Sequence, residues 1–267
     1  MIVSAPAGFD LAATLACGQC FRWEETPAGW HGVAYGRPLT VRQDGDRLEF
    51  FCSEEEFERL WKPYFDLELD YYAILQEIAG RFPVLQAALP VAGGIRILRQ
   101  EPWEALCSFI ISQNNNIKRI SSLVKKLCAA YGTVLEEGDY AFPTPAQLAA
   151  ATEDELRALG FGYRAPYLLD AAKKVADGEI DLDALQTLPE EETLAALQSI
   201  CGVGPKVAQC ALLYGLHRLD AFPMDVWMKR AMARYFPKNE PKDFGPYAGI
   251  AQQVIFHTIR TADIGTD

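Results

Sequence analysis

The spacing of apolar positions changes character part-way along the chain. Up to about residue 90 they fall in short aromatic and β-branched runs: Phe21-Arg22-Trp23, Trp30 to Tyr35, and Leu39-Thr40-Val41. Alternation with a period near two marks a half-buried strand. Asp44-Gly45-Asp46 separates Leu39 and Val41 from Leu48 and Phe50, which predicts a hairpin. Across 54–78 the spacing lengthens to three and four (Phe57, Leu60, Trp61, Phe65), so that stretch is predicted helical. Pro90 and Gly93-Gly94 then mark a boundary.

From residue 96 the helical period continues almost throughout. Pro102 suits a first helical position, with Trp103, Leu106, Phe109 and Ile110 on one face. Ser112 to Asn116 precedes a second helix through Ile117, Ile120, Val124, Leu127 and Cys128. Pro143-Thr144-Pro145 opens another helical region, Gly160-Phe161-Gly162 breaks it, and Tyr167, Leu168, Ala171 and Val175 continue it. The predicted fold is an α+β N-terminal domain, with an antiparallel sheet and helices, over residues 1–95. A mainly α domain follows over 96–267. Two domains suit a chain of 267 residues.

Composition narrows the class. Half the residues are hydrophobic and 23% are charged, an ordinary globular balance that excludes disorder. No window approaches the roughly 20 apolar residues of a membrane span, and the acidic opening MIVSAPAGFDLAA is no signal peptide. Seven sparse cysteines predict free thiols in a reducing cytoplasm rather than a disulfide framework. The net charge of −11 argues at first against a nucleic-acid partner. That average conceals two basic stretches. Residues 93–132 net +4 and residues 201–236 net +3, leaving −18 for the remainder, including Glu54-Glu55-Glu56, Glu153-Asp154-Glu155 and Glu190-Glu191-Glu192. Either solvated helix faces alternate in sign, or the molecule is bipolar with one basic face fit for a phosphate backbone.

Chemistry concentrates in the second basic stretch. In Leu197 to Ala208 one helix ends, Gly202-Val203-Gly204 turns, and Pro205 opens the next helix. Such a turn brings backbone N–H groups and a positive helix end to an anion without any side chain. Lys206 lies in that first turn, the wrong end of a helix for a cation, which favours the neutral, nucleophilic amine able to form a Schiff base. Taken singly, the turn reads as an ordinary helical hairpin and Lys206 as a solvated lysine. Nineteen residues on, Asp225 reads as the N-cap of a helix carrying Val226, Met228, Ala231 and Met232. Paired with Lys206, its carboxylate could stabilise positive charge at a sugar carbon and move protons.

Ile200-Cys201-Gly202-Val203-Gly204-Pro205-Lys206-Val207-Ala208 followed by Phe222-Pro223-Met224-Asp225 resembles the helix–hairpin–helix DNA glycosylases, with Cys201 in place of the usual proline. More specifically, the chain resembles the 8-oxoguanine DNA glycosylase/AP lyase family. Gly18-Gln19-Cys20-Phe21-Arg22-Trp23 is similar to its Gly-Gln-Ser-Phe-Arg-Trp, and Asn114-Asn115-Asn116-Ile117-Lys118-Arg119-Ile120 to its Asn-Asn-Asn-Ile-x-Arg-Ile. Leu159 to Ala165 is similar to Leu-Gly-x-Gly-Tyr-Arg-Ala, and Gly249 to Phe256 to the helix that closes the base pocket.

The resemblance implies a bifunctional enzyme that flips 8-oxoguanine, paired with cytosine, out of double-stranded DNA. It implies Lys206 as nucleophile at C1′, Asp225 as its electrostatic partner, and β-elimination through a Schiff base in base excision repair. The base would meet the Gly18 carbonyl through its N7–H, lie between Cys210 and Phe256, and present its Watson–Crick edge to Gln252. Asn114 would fill the gap, Tyr163 wedge beside it, and Arg119 and Arg164 hold the estranged cytosine. Gly202, Gly204 and Val207 would contact DNA, the two glycine amides gripping a phosphate. Two departures touch this site. Trp227 stands where some members have a histidine, and His257-Thr258-Ile259 lacks the acidic residue some members carry there.

The resemblance implies no required cofactor, with a structural monovalent or calcium ion at the hairpin carbonyls as the one candidate. Related glycosylases for adenine or oxidised pyrimidines often carry a C-terminal four-cysteine iron–sulfur cluster; the last cysteine here is Cys210, so no iron–sulfur cluster is expected. A non-catalytic DNA-binding module would not need Lys206 and Asp225 together. Cys17-Gly18-Gln19-Cys20, a lone CxxC, is weak as a metal or redox motif. The remaining expectations are a monomer, no membrane partner, and a bacterial, cytoplasmic, nucleoid-associated location. Acid is expected on faces turned away from the duplex, with a marked salt dependence of binding.

Overall fold

The computed structural model describes residues 1–261. Its N-terminal part is a five-stranded antiparallel sheet in the order β1-β5-β4-β3-β2, comprising β1 (Ile2–Ser4), β2 (Trp23–Thr26), β3 (Gly29–Ala34), β4 (Arg37–Asp44) and β5 (Arg47–Phe50). The expected hairpin closes at Gly45-Asp46, where Asp44 pairs with Arg47 and Gly45 takes a φ of +59°. Leu39 and Val41 of β4 face inward with Leu48 and Phe50 of β5. β1 and α1 (Leu11–Ala16) had no signal in the apolar pattern, being short and mostly exposed or capped by Asp10. Within the predicted strand at 21–23 only Trp23 joins the ladder. It pairs with Gly32, where a Cβ would stand 2.4 Å from the indole.

The predicted helix over 54–78 is two helical stretches. Glu54–Glu56 (α2), a π turn over Phe57–Trp61 and Lys62–Tyr64 (α3) form the first, which brings Phe57, Trp61, Tyr64 and Phe65 onto the sheet. The chain then leaves the helix at Asp66, with φ +50°. There the buried carboxylate accepts hydrogen bonds from Arg99 Nε at 3.1 Å and Tyr71 Oη at 2.9 Å. A continued helix could not deliver that carboxylate inward. Tyr71–Arg81 (α4) and Leu89–Ala92 (α5) follow, and Ile78, Ala79 and Leu85 pack with residues of the C-terminal helices rather than with the sheet.

The remaining helices are α6 (Pro102–Ile111), α7 (Ile117–Tyr131), α8 (Pro145–Ala149), α9 (Glu153–Leu159), α10 (Ala165–Ala176), α11 (Glu190–Gln198), α12 (Pro205–Cys210), α13 (Val226–Tyr235) and α14 (Ala248–Thr261). Pro102 opens α6, Asn116 caps α7 by accepting from the Arg119 amide at 3.0 Å, and Gly160 ends α9 in the left-handed region. No described helix is long and apolar enough to cross a membrane. The three acidic blocks sit in the first turns of α2, α9 and α11, where the helix dipole favours negative charge.

One buried amide ties the sheet side to the helical body. Gln19, fully buried, donates from Nε2 to the carbonyls of Thr14 at 2.9 Å and Arg96 at 2.7 Å, while its Oε1 accepts from the Leu98 amide at 2.9 Å. Gln100 Nε2 donates to the Gln19 carbonyl at 2.8 Å. Gln19→Ala strands the Arg96 carbonyl and the Leu98 amide and leaves the Thr14 carbonyl only the Cys17 thiol at 3.2 Å, with an expected loss of about 2–4 kcal/mol of stability. Thermal denaturation of the variant checks this: the midpoint falls by several degrees, and an unchanged midpoint contradicts the role.

Candidate active site

The hairpin that presents Lys206 is fastened from below by α10. Asp170 Oδ2 accepts from the Cys201 amide at 2.7 Å and from Lys174 Nζ at 3.2 Å, while Lys174 Nζ also donates to the Ser199 carbonyl at 2.5 Å. Gly202 has a φ of +75°, and a Cβ there would stand 2.3 Å from the Tyr167 ring, so only glycine fits between ring and turn. Gly204 is the N-cap of α12, which continues into a π turn over Ala211–Gly215. Lys206 and Val207 are first-turn residues whose amides have no intrahelical acceptor. The Val207 side chain itself is buried. Asp225 caps α13 as its spacing predicts, its Oδ1 accepting from the Met228 amide at 2.8 Å. Gln209 Oε1 accepts from the Phe222 amide at 3.2 Å, tying the approach to Asp225 onto the helix of Lys206.

One cavity of about 320 Å³ gathers Gly18, Lys206, Cys210, Asp225, Gln252 and Phe256, residues that come from four separate parts of the chain. Lys206 lies one helical turn before Cys210 on α12, and its Nζ lies 5.4 Å from the centroid of the Phe109 ring. Burial pushes the Cys210 thiol up, against the pull of the Lys206 charge. Lys206 and Asp225 face the same space without forming an ion pair within 4.0 Å. Gln252 is held through its Nε2, which donates to the Pro223 carbonyl at 3.2 Å, while the one Tyr214 hydroxyl proton goes to the closer Gln253 Oε1. The carbonyl of Gly18, in a segment with φ +93°, accepts no hydrogen bond from the described residues.

Phe21, Phe109, Tyr214 and Arg260 also line this cavity and were not among the sequence candidates. Phe109 and Tyr214 stack at 5.1 Å and 18°. Apolar periodicity reads such rings as core, so the pattern conceals them. Arg260 was legible in principle, because it follows Phe256 by one helical turn. Trp227 is half-exposed at the cavity, with the Arg230 guanidinium 5.7 Å over its ring.

Asn114, Tyr163, Arg164 and Arg119 form a second group outside the cavity lining. Asn114 has a φ of +47°, uncommon for a side-chain-bearing residue, and its Nδ2 donates to Tyr163 Oη at 3.1 Å. Tyr163 Oη donates in turn to the Gln113 carbonyl at 3.1 Å. Arg164 is buried: its Nε donates to the Gln113 carbonyl at 2.9 Å, and its Nη2 donates to that carbonyl and to Asn114's at 3.2 Å. Its guanidinium carbon lies 4.5 Å from the Tyr163 ring centroid. Arg164 thus braces the Asn114 turn, whereas Arg119 is exposed and makes no ion pair among the described residues. Lys118, Lys126, Lys229 and Arg230 are likewise exposed without an acidic partner among the described residues. Arg96 of the first basic stretch is instead buried and donates to the Leu69 carbonyl, and the exposed Arg99 is paired with the buried Asp66.

Comparison with known proteins places this arrangement. Residues 1–106 match the 8-oxoguanine DNA glycosylase, N-terminal domain, and residues 107–244 match the HhH-GPD superfamily of base excision DNA repair proteins. The N-glycosylase/DNA lyase of Saccharomyces cerevisiae is 44% identical over 87% of this chain and 70% of its own length. An N-glycosylase/DNA lyase OGG1 of Arabidopsis thaliana is 31% identical over 92% of this chain and 76% of its own. The solved Clostridium acetobutylicum 8-oxoguanine glycosylase/lyase, in complex with duplex DNA containing cytosine opposite 8-oxoguanine, superposes with a TM-score of 0.87 at 36% identity, covering 95% of this chain and 92% of that one. Relatives from yeast and plant do not support the expected bacterial origin. The chain belongs to the 8-oxoguanine DNA glycosylase/AP lyase family of the helix–hairpin–helix superfamily.

Proposed function

We propose that this chain, acting as a monomer, excises 8-oxoguanine opposite cytosine from duplex DNA and then cleaves the strand at the sugar it leaves. The observation that carries the reading is a single cavity holding both an unpartnered Gly18 carbonyl and the Lys206 amine. The carbonyl accepts from the lesion's N7–H, where guanine offers a lone pair, so the wrong base meets an acceptor facing an acceptor. Cys210 and Phe256 enclose the base plane and Gln252 meets its Watson–Crick edge. Flipping costs a few kcal/mol of unstacking. Asn114 fills the gap left behind, with Tyr163 stacked beside it and Arg119 and Arg164 on the orphaned cytosine.

In the first step the neutral Lys206 amine forms a bond to C1′ and the C1′–N9 bond breaks, its electron pair leaving with the base. The proton released by the new C–N link goes to that base. Asp225 faces the positive charge developing at the sugar and stabilises it. The C1′–O4′ bond then opens to a Schiff base, a proton moving to O4′. Loss of a C2′ proton expels the 3′ phosphate by β-elimination, and water releases Lys206. The Gly202 and Gly204 amides meet a phosphate beside the lesion. A structural cation at the hairpin would draw on carbonyls other than Ser199's, which Lys174 already holds, and no step passes through it.

Borohydride added during reaction with an 8-oxoguanine:cytosine duplex should trap a covalent complex, and Lys206→Gln should abolish trapping while lesion binding persists. No trapping by the intact enzyme removes the lyase reading; cleavage surviving in Lys206→Gln means another nucleophile. For the opposite base, cleavage ratios across the four pairings separate the two arginines. Arg119→Ala should flatten the ratios with thermal stability unchanged. Arg164→Ala should flatten them and also lower the melting midpoint, because the Asn114 turn loses its brace. Ratios that keep the cytosine preference in both variants exclude this assignment.

A further inference from the structure

Arg260 stands at the cavity wall in the last turn of α14, on the same helix face as Phe256. Its guanidinium carbon lies 5.2 Å from the Phe256 ring centroid, and it has no ion-pair partner among the described residues. On its other side it reaches Gly18: Nη1 is 3.8 Å from the position a Cβ on that glycine would take. The charge is felt there. Burial pushes the neighbouring Cys17 thiol up to about 12, and the Arg260 charge is among the influences pulling it back.

8-Oxoguanine carries two adjacent marks on one edge, the N7–H donor and the C8 carbonyl acceptor. The Gly18 carbonyl serves the first and leaves the second without a donor. Flipped into a half-enclosed cavity, that oxygen loses water hydrogen bonds, which costs free energy unless a donor replaces them. Because C8 is bonded to N7, a base whose N7–H meets Gly18 holds O8 beside that same residue. Around the place where Gly18 lacks a Cβ stand the Ile117 side chain, at 3.1 Å, and Arg260 Nη1, at 3.8 Å, and of these only Arg260 can donate a hydrogen bond. We propose that Arg260 is a specificity residue of the lesion cavity, donating from Nη1 to the C8 carbonyl oxygen of the flipped 8-oxoguanine. This rests on the 8-oxoguanine reading above. Guanine has C8–H at that place and gains nothing from the cation. Arginine suits the position because its planar group stays stacked on Phe256 while an edge N–H points at the base. Lys206, the other basic side chain lining the cavity, is the group proposed to attack the sugar.

Binding measured in a Lys206→Gln background, where no bond is broken, tests this with three duplexes carrying 8-oxoguanine, guanine or a tetrahydrofuran abasic analogue opposite cytosine. Arg260→Leu should lower the preference for 8-oxoguanine over tetrahydrofuran about tenfold, with an unchanged melting midpoint, and Arg260→Lys should restore part of it. An unchanged preference overturns the assignment. So does equal weakening on all three duplexes with a shallower salt dependence, the mark of a phosphate contact. If Lys206→Gln with Arg260 intact binds 8-oxoguanine and guanine duplexes equally, the 8-oxoguanine reading itself fails; if it discriminates and Arg260→Leu discriminates as well, only the Arg260 assignment fails.

Discussion

The placement of the Gly18 carbonyl depends on the buried side chain of Gln19. Its amide bonds the Thr14 carbonyl and satisfies the Arg96 carbonyl and the Leu98 N–H, which would otherwise be stranded between the sheet and the helical body. A segment so pinned holds a left-handed glycine at the cavity wall, opposite helices that come from more than 180 residues later in the chain. The cavity is therefore a consequence of docking the sheet side onto the helices, and neither part makes it alone. The same logic recurs at the hairpin, where Asp170 and Lys174 fasten the turn that carries Lys206.

Electrostatics follows from where each charge is used. The acidic blocks fill the first turns of α2, α9 and α11, and Asp10, Asp70 and Asp225 cap helices. Much of the negative charge thus neutralises helix ends. Lys118, Arg119 and Lys126 of α7 and Lys229 and Arg230 of α13, by contrast, are left exposed without acidic partners among the described residues. A net charge of −11 is then compatible with a phosphate-binding face.

What was legible in the chain tracks how local each feature is. The β4–β5 turn, Pro102 at the start of α6 and the Asp225 cap depend on one turn of backbone, and all three stand as read. The continuous helix over 54–78 failed because Asp66 answers to Arg99 and Tyr71, which are contacts that periodicity does not see. Strand β1 has no sequence signal because its three largely exposed residues carry no pattern until β5 pairs with them. Lys206 and Asp225 were each ambiguous alone and became a pair through the family motif. The buried, bracing geometry of Arg164 had no sequence signal at all, and Phe109 and Tyr214 read as core while forming the cavity wall.

The proposed chemistry starts from a bond between the Lys206 amine and the sugar of the lesion inside this cavity. Peptide mapping by mass spectrometry of the borohydride-reduced complex tests it most directly. The sugar adduct is expected on the peptide containing Lys206, and on no other. An adduct on Lys118, Lys229 or the N-terminal amine of Met1, with Lys206 unmodified, would contradict it.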